Sequence, residues 1–203
     1  MRGMRQYLMD GERSMHRYSI AVIVGSLRNE SLNRKLADGL VRLAPEEFSF
    51  TKVSIGDLPL YNQDDDDTPA DAVIRMKNVV RSASGLLIVS PEYNRSVPGV
   101  LKNALDHGSR PAGQSVWAGK PAGIIGVSTG AIGTALAQQH LRNILSYLDV
   151  SVMRQPEAYL RLREGMFNAD GAIGEGSLPL LRNWMDHYGN WIVKNVRPDK
   201  ADD

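Results

Sequence analysis

The chain has 203 residues, 42% hydrophobic and 23% charged, and this composition excludes a collagen-like, low-complexity or wholly disordered protein. It contains no cysteine, which excludes a disulfide framework, a thiol nucleophile, an iron–sulfur cluster and a thiolate zinc site. Its 24 basic residues nearly cancel its 23 acidic ones, so no global charge attracts nucleic acid or an anionic membrane, and any anion site must be local.

The two ends of the chain are expected to lie outside the fold. Residues 1–17 lack the clean apolar stretch of a signal peptide and are predicted to be a disordered leader. Residues 197–203 are predicted to be a polar tail, which leaves 18–196 as one domain. No apolar run approaches the roughly 20 residues that span a bilayer. Because the chain also lacks cysteine, we expect it in the cytoplasm.

From residue 18 onward, short apolar runs alternate with segments of helical period, which is typical of a parallel sheet covered by helices on both faces. The predicted strands are 20–24, 50–55, 85–89, 122–127 and a short edge strand at 151–153. The predicted helices cover 32–43, 68–83, 98–107, 132–148 and 178–194. Thr68, followed by Pro69 and Asp71, predicts the N-cap of the second helix.

Two segments are interpreted as plain surface. Residues 161–176 are rich in turn formers and predict a surface loop. The acidic run 64–67 is expected to be solvated, because four consecutive carboxylates on a connection repel one another, so no metal site is predicted.

The loop after the first strand brings hydroxyl, amide and guanidinium groups to a helix start. Free backbone N–H groups and the helix dipole favour a phosphate there. Ser26, Ser31 and Asn33 offer hydrogen bonds to its oxygens, and Arg28 adds charge. Helix capping by Ser31 is the alternative, but it explains one residue of the four.

Other phosphate motifs do not fit. A dinucleotide fold requires Gly-x-Gly-x-x-Gly after this strand, and the loop has only Gly25. A Walker loop requires Ser or Thr after Gly-Lys, whereas Gly119-Lys120 is followed by Pro121. A terminal monophosphate is therefore favoured over a pyrophosphate.

Two further loops follow the third and fourth strands, and ligands of open parallel sheets bind at these carboxyl ends. Residues 91–99 form a stiff loop in which Tyr93 offers an aromatic wall and Asn94 offers donors and acceptors. Residues 128–133 are small, which allows close approach of the backbone. Together the three loops predict one pocket with a phosphate end and a flat aromatic end.

The segments 25–34 and 91–106 resemble the NADPH-dependent FMN reductase family, with the chromate and quinone reductase branch closest. The two motifs have the family's order and spacing, and the resemblance covers about residues 18 to 195. It implies a flavodoxin-like three-layer sandwich with a five-stranded sheet of order 2-1-3-4-5. It also implies non-covalent FMN and two-electron transfer from NADPH or NADH to quinones, flavins, azo compounds or metal oxyanions such as chromate.

The resemblance assigns site residues by motif position. Those implied to hold the FMN at its phosphate end are Ser26, Arg28, Ser31, Leu32 and Asn33. Those implied to meet the isoalloxazine are Pro91, Glu92, Tyr93 and Asn94, with Ser128, Thr129 and Gly130 closing its other side. No catalytic side chain is expected, because the flavin carries the hydride, and donor and acceptor are expected to exchange in a ping-pong order.

The family resemblance also concerns assembly. Relatives are commonly dimeric or tetrameric, so a homodimer or homotetramer is expected, with small-molecule electron acceptors and neither nucleic acid nor membrane as partners. One departure is His107, where many relatives carry an aromatic residue, and it alters either the subunit interface or the surroundings of the ring.

Two other functions remain open from the sequence. An electron-carrier flavodoxin is disfavoured because carriers steer with a surface of one sign, whereas the formal charge here is +1. A sensory or interaction protein that retains a flavin pocket is the third hypothesis, and turnover with NADPH separates it from a reductase.

Overall fold

The computed structural model describes residues 18–196. The predicted leader 1–17 and the predicted tail 197–203 lie outside the described residues. Among the helices of the described part, none combines the length and the apolar character needed to cross a membrane.

A parallel sheet forms the middle layer. Its strands within residues 18–196 are β1 (Tyr18–Val24), β2 (Phe48–Lys52), β3 (Gly85–Val89), β4 (Pro121–Ser128), β5 (Ser151–Val152) and β6 (Tyr159–Arg161). They run in the order β2-β1-β3-β4-β5, which confirms the predicted order 2-1-3-4-5. β6 is additional and pairs in parallel with the carboxyl end of β4, whereas β5 pairs with its amino end.

Helices cover both faces of the sheet. They are α1 (Leu32–Val41), α2 (Asp71–Ser82), α3 (Gly99–Ser109), α4 (Ala135–Tyr147) and α5 (Leu178–Asn195). α1 and α5 enclose one core with the sheet, and α2, α3 and α4 enclose the other. Trp184 and Tyr188 of α5 stack at 5.5 Å between ring centroids, and both press on Gly123 of β4, where a Cβ would meet their rings.

Two predicted helix starts are wrong. Thr68 does not cap α2, because the helix begins only at Asp71 and the capping position falls on Ala70, which has no side-chain acceptor. α4 begins at Ala135 instead of residue 132, because Gly133 has φ +61 and no helix continues through that left-handed geometry.

Two segments between β5 and α5 carry structure that the sequence pattern did not indicate. β6 has only three residues, of which Leu160 is buried and its two neighbours are exposed. Within the predicted surface loop 161–176, Met166 and Ile173 are buried. Ile173 packs against Gly39 of α1, where a Cβ would lie 2.5 Å from its Cδ1. This segment therefore closes the core beside α1.

Candidate functional site

The carboxyl ends of β1, β3, β4 and β6 meet at one edge of the sheet, and the three predicted loops follow the first three of these strands. The main chain couples them directly. Gly25 N–H donates to the carbonyl of Val89 at 2.9 Å. Gly126 of β4 packs on the carbonyl of Ser90 so closely that any Cβ there would collide with it. The structure thus brings the three loops together, as the parallel topology predicts.

The first loop leaves hydrogen-bond donors free at the start of α1. Ser31 caps the helix, since its Oγ accepts from Arg34 N–H at 3.3 Å. The N–H groups of Leu32 and Asn33 in the first turn have no intrahelical acceptor. Ser26 is 5% exposed, and its hydroxyl makes no hydrogen bond to any residue that the structure describes. The capping role and a cluster of free donors therefore coexist here.

The side chain of Asn33 makes two hydrogen bonds that the sequence did not indicate. Its Nδ2 donates to the carbonyl of Val127 at 2.9 Å, and its Oδ1 accepts from the N–H of the same residue at 3.0 Å. The side chain is buried, so this pair joins the start of α1 to β4. The phosphate contact predicted for Asn33 is thereby left mainly to its backbone N–H.

The second loop contains a strained two-residue hairpin. Tyr93 and Ser96 exchange both main-chain hydrogen bonds at 3.0 Å, and the residues between them have positive φ, +50 for Asn94 and +64 for Arg95. This is the geometry of a type I′ turn, which favours glycine at its second central position. A non-glycine residue in the left-handed region costs about 1–2 kcal/mol. The hairpin holds Tyr93, Asn94 and Arg95 outward, all exposed.

Two side chains fasten this hairpin to α4. Glu92 Oε2 accepts from the N–H groups of Leu136 and Ala137 at 2.9 and 3.0 Å, so it caps the helix from 44 residues away. Ser96 Oγ lies 2.9 Å from Nδ1 of His140 on the same helix. The Glu92 carboxylate is thus held against the start of α4 through one of its two oxygens.

The third loop is held by its own hydroxyl group. Ser128 Oγ donates to the carbonyl of Gly133 at 2.7 Å and accepts from Gly130 N–H at 3.1 Å. Gly133 in turn packs on the main chain of Tyr159 in β6. Thr129 and Gly130 are exposed at the mouth of the site. Burial and a hydrogen bond that the Tyr159 phenol donates to the Glu157 carboxylate raise the pKa of Tyr159 to about 12, so the phenol stays neutral at physiological pH.

His107 lies away from these loops. It is near the carboxyl end of α3, whereas the hairpin precedes the amino end of that helix. Its Nε2 donates to the carbonyl of Pro59 at 2.9 Å, and its ring meets the ring of Tyr61 edge-on at 5.3 Å. His107, where the sequence departs from the family pattern, therefore anchors the segment that follows β2 and lies away from the pocket.

No group of three or more His, Asp or Glu side chains within residues 18–196 is arranged to hold a metal ion. The acidic run 64–67 falls in a 3-10 turn, Gln63–Asp65, and the turn that follows it.

Sequence reasoning missed several residues that shape the site. They are the cap by Glu92, the tether from His140, the amide bridge of Asn33 and the strand that carries Arg161. Each depends on a partner distant in sequence. None leaves a local pattern of the kind that predicts a helix or a strand.

Comparison with known proteins places this site in a family. Residues 18–165 match the family described as NADPH-dependent FMN reductase. A 2-hydroxy-1,4-benzoquinone reductase from Burkholderia sp is 55% identical over 174 residues, which cover 85% of this chain and 95% of the relative. A quinone reductase from Pseudomonas putida is 46% identical over 179 residues, which cover 88% of this chain and 96% of the relative.

A solved structure agrees with these relatives. The flavoenzyme NAD(P)H:(acceptor) oxidoreductase FerB from Paracoccus denitrificans is 42% identical, with a TM-score of 0.84 over 88% of this chain and 98% of that one. The family match, the identities and the shared sheet lead to one conclusion. The chain belongs to the NADPH-dependent FMN reductase family and is a flavodoxin-like oxidoreductase that uses FMN and a nicotinamide donor.

Proposed function

We propose that the protein reduces quinones with two electrons taken from NADPH or NADH, through FMN held non-covalently at the carboxyl edge of the sheet. The observation that carries the proposal is the set of free donors at the start of α1, beside a rigid hairpin that is fastened to α4. Relatives that are 46% and 55% identical are named as quinone reductases, which supports this acceptor class.

The residues present fit FMN. The nearly buried hydroxyl of Ser26, the free N–H groups of Leu32 and Asn33, and the exposed guanidinium of Arg28 suit a phosphate dianion. Ser31 sets these groups in place by capping α1.

The other end of the site suits a flat ring. The candidate contacts are the main chain of Pro91 and Glu92, the side chains of Tyr93 and Asn94, and the loop of Ser128, Thr129 and Gly130. When bound, FMN accepts a hydride from the nicotinamide and passes two electrons onward. The protein's own work is to hold and orient the cofactor, and the two fastened loops fix that orientation.

Donor and acceptor are proposed to use the same open face in turn, which is a ping-pong order. Tyr93, Thr129 and Gly130 are exposed, so the mouth between the second and third loops is open to solvent. Initial rates with varied NADPH at several quinone concentrations should give parallel double-reciprocal lines. Intersecting lines would contradict the alternating order. Flavins, azo compounds and chromate are proposed as further acceptors, to be tested in the same assay.

A homodimer or homotetramer that uses the face between α3 and α4 is proposed. Leu60 is 87% exposed and Tyr147 is 88% exposed, which is unusual for large apolar side chains. Beside them lies a groove of about 370 Å³ lined in part by Tyr61, Ile144 and Leu148. Light scattering should give a mass of two or four times 22.4 kDa, and Tyr147→Asp should lower it. A wild-type monomer that turns over would reject this assembly.

The carrier and sensor hypotheses predict bound flavin without nicotinamide turnover. The named activities of the 42–55% identical relatives favour the reductase over both. The cytoplasmic location stays a prediction.

A further inference from the structure

Strand β6 places Arg161 beside the third loop. Arg161 pairs in register with Ser128, and the N–H of Leu162 donates to the Ser128 carbonyl at 2.8 Å. Successive side chains of a strand point to opposite faces of the sheet. Leu160, the neighbour of Arg161, is buried in the core that α1 and α5 enclose. Arg161 therefore projects to the opposite face, which it shares with its register partner Ser128.

Arg95 lies on the other side of the same opening. It stands in the strained hairpin after β3, and β4 lies between β3 and β6, so the two arginines flank the exit of β4. Both guanidinium groups are exposed, and neither makes a hydrogen bond or an ion pair with any residue in 18–196. The hydrogen bonds of Glu92 and Ser96 to α4 hold the turn that carries Arg95.

Three carboxylates on the loops that adjoin the first strand, the third strand and β6 make contacts of their own within residues 18–196. They are Glu92, bound to α4, Glu30, bound to Lys35, and Glu157, bound to Arg142. Arg163 and Glu164, which follow β6, contribute opposite charges. The whole chain has a formal charge of +1, so attraction of an anion to this opening depends on its local side chains and not on a global field.

The geometry points to Arg161 and Arg95 as the residues that bind the anionic group of the substrate entering beside the FMN. This inference rests on the proposed function and adds a substrate class to it: donors and acceptors that carry an anionic oxygen. The group is either a phosphate of the nicotinamide donor or the ionised hydroxyl of an acidic quinone. A guanidinium pairs with such oxygens through two N–H groups, and positive side chains beside a site raise the local concentration of anionic substrates.

The test compares Arg161→Gln and Arg95→Gln with Arg154→Gln. Arg154 is a matched control, because it is exposed, has no partner within the described residues, and follows β5, which pairs at the far end of β4. KM and kcat are measured in the FMN-loaded enzyme for NADPH, an acidic hydroxyquinone and a neutral quinone of similar size. Direct titration with NADP⁺, which binds without transferring electrons, gives a readout independent of turnover.

We expect KM for the anionic substrate to rise about three- to fivefold in Arg161→Gln and in Arg95→Gln. The value of kcat, and KM for the neutral quinone, should stay unchanged. Arg161→Lys should recover part of the loss. Weaker NADPH and NADP⁺ binding assigns the anion to the donor, and an effect confined to the acidic quinone assigns it to the acceptor.

The inference would be overturned if Arg161→Gln and Arg95→Gln had the same KM as Arg154→Gln for every substrate. It would also be overturned if KM for the neutral quinone rose as much as KM for the anionic substrate. Failure of the wild-type protein to oxidise NADPH at all would instead overturn the proposed function, which makes the two failures distinguishable.

Discussion

Removal of the Glu92 carboxylate tests whether the second loop is held by α4. Glu92→Ala removes the acceptor of two main-chain hydrogen bonds, 2.9 and 3.0 Å long, at the positive end of a helix. A hydrogen bond to a charged group contributes about 1.5–3 kcal/mol, and the two bonds share one oxygen. We therefore expect the free energy of unfolding to fall by about 2–4 kcal/mol. Glu92→Gln keeps a neutral oxygen and should lose about 1 kcal/mol.

The assay is urea unfolding without added FMN, followed by FMN titration of the folded variants. Glu175→Ala is the matched control, because Glu175 is exposed and has no partner among residues 18–196. Release of the loop from α4 should weaken FMN binding in the order wild type, Glu92→Gln, Glu92→Ala. An unfolding free energy for Glu92→Ala equal to that of Glu175→Ala would refute the reasoning.

Three other changes follow from the described contacts. Asn33→Ala leaves the buried N–H and carbonyl of Val127 without partners and should lower the free energy of unfolding by about 2–4 kcal/mol, so a loss below 1 kcal/mol in urea would contradict the bridge. Arg28→Ala should weaken FMN binding by about 1.5–3 kcal/mol while leaving apoprotein stability unchanged, and unaltered flavin affinity would reject the phosphate assignment. Burial lowers the pKa of Lys77, whose ammonium donates to the carbonyl of Arg110. The unfolded chain therefore binds more protons than the folded one between that lowered pKa and 10.5, so wild-type stability relative to Lys77→Met should rise with pH across that interval. A difference that stays flat with pH would contradict it.

The sheet was accessible from sequence because its signals are local. Buried parallel strands are continuous apolar runs, and β3 has the bounds predicted for it, 85–89. β1 begins two residues before the predicted start, at Tyr18, because that residue pairs with Phe48 and stacks on its ring at 5.2 Å. Strand order followed from the family resemblance.

The details that shape the site were not accessible in this way. Glu92 caps a helix 44 residues further along the chain, and Asn33 bridges to a strand 94 residues away. Thr68 has the local signature of a cap, yet α2 begins after Ala70. The contacts of Glu92 and Asn33 are tertiary, and periodicity along the chain does not encode them.

The central claim, that electrons pass from a nicotinamide through FMN to a quinone, is tested most directly by an anaerobic absorption spectrum. Purified protein is loaded with FMN, titrated with NADPH and then mixed with a quinone. We predict that NADPH bleaches the flavin band and that the quinone restores it. Bound FMN that NADPH leaves oxidised would contradict the reductase and favour the carrier or sensor, and failure to bind FMN would contradict the site itself.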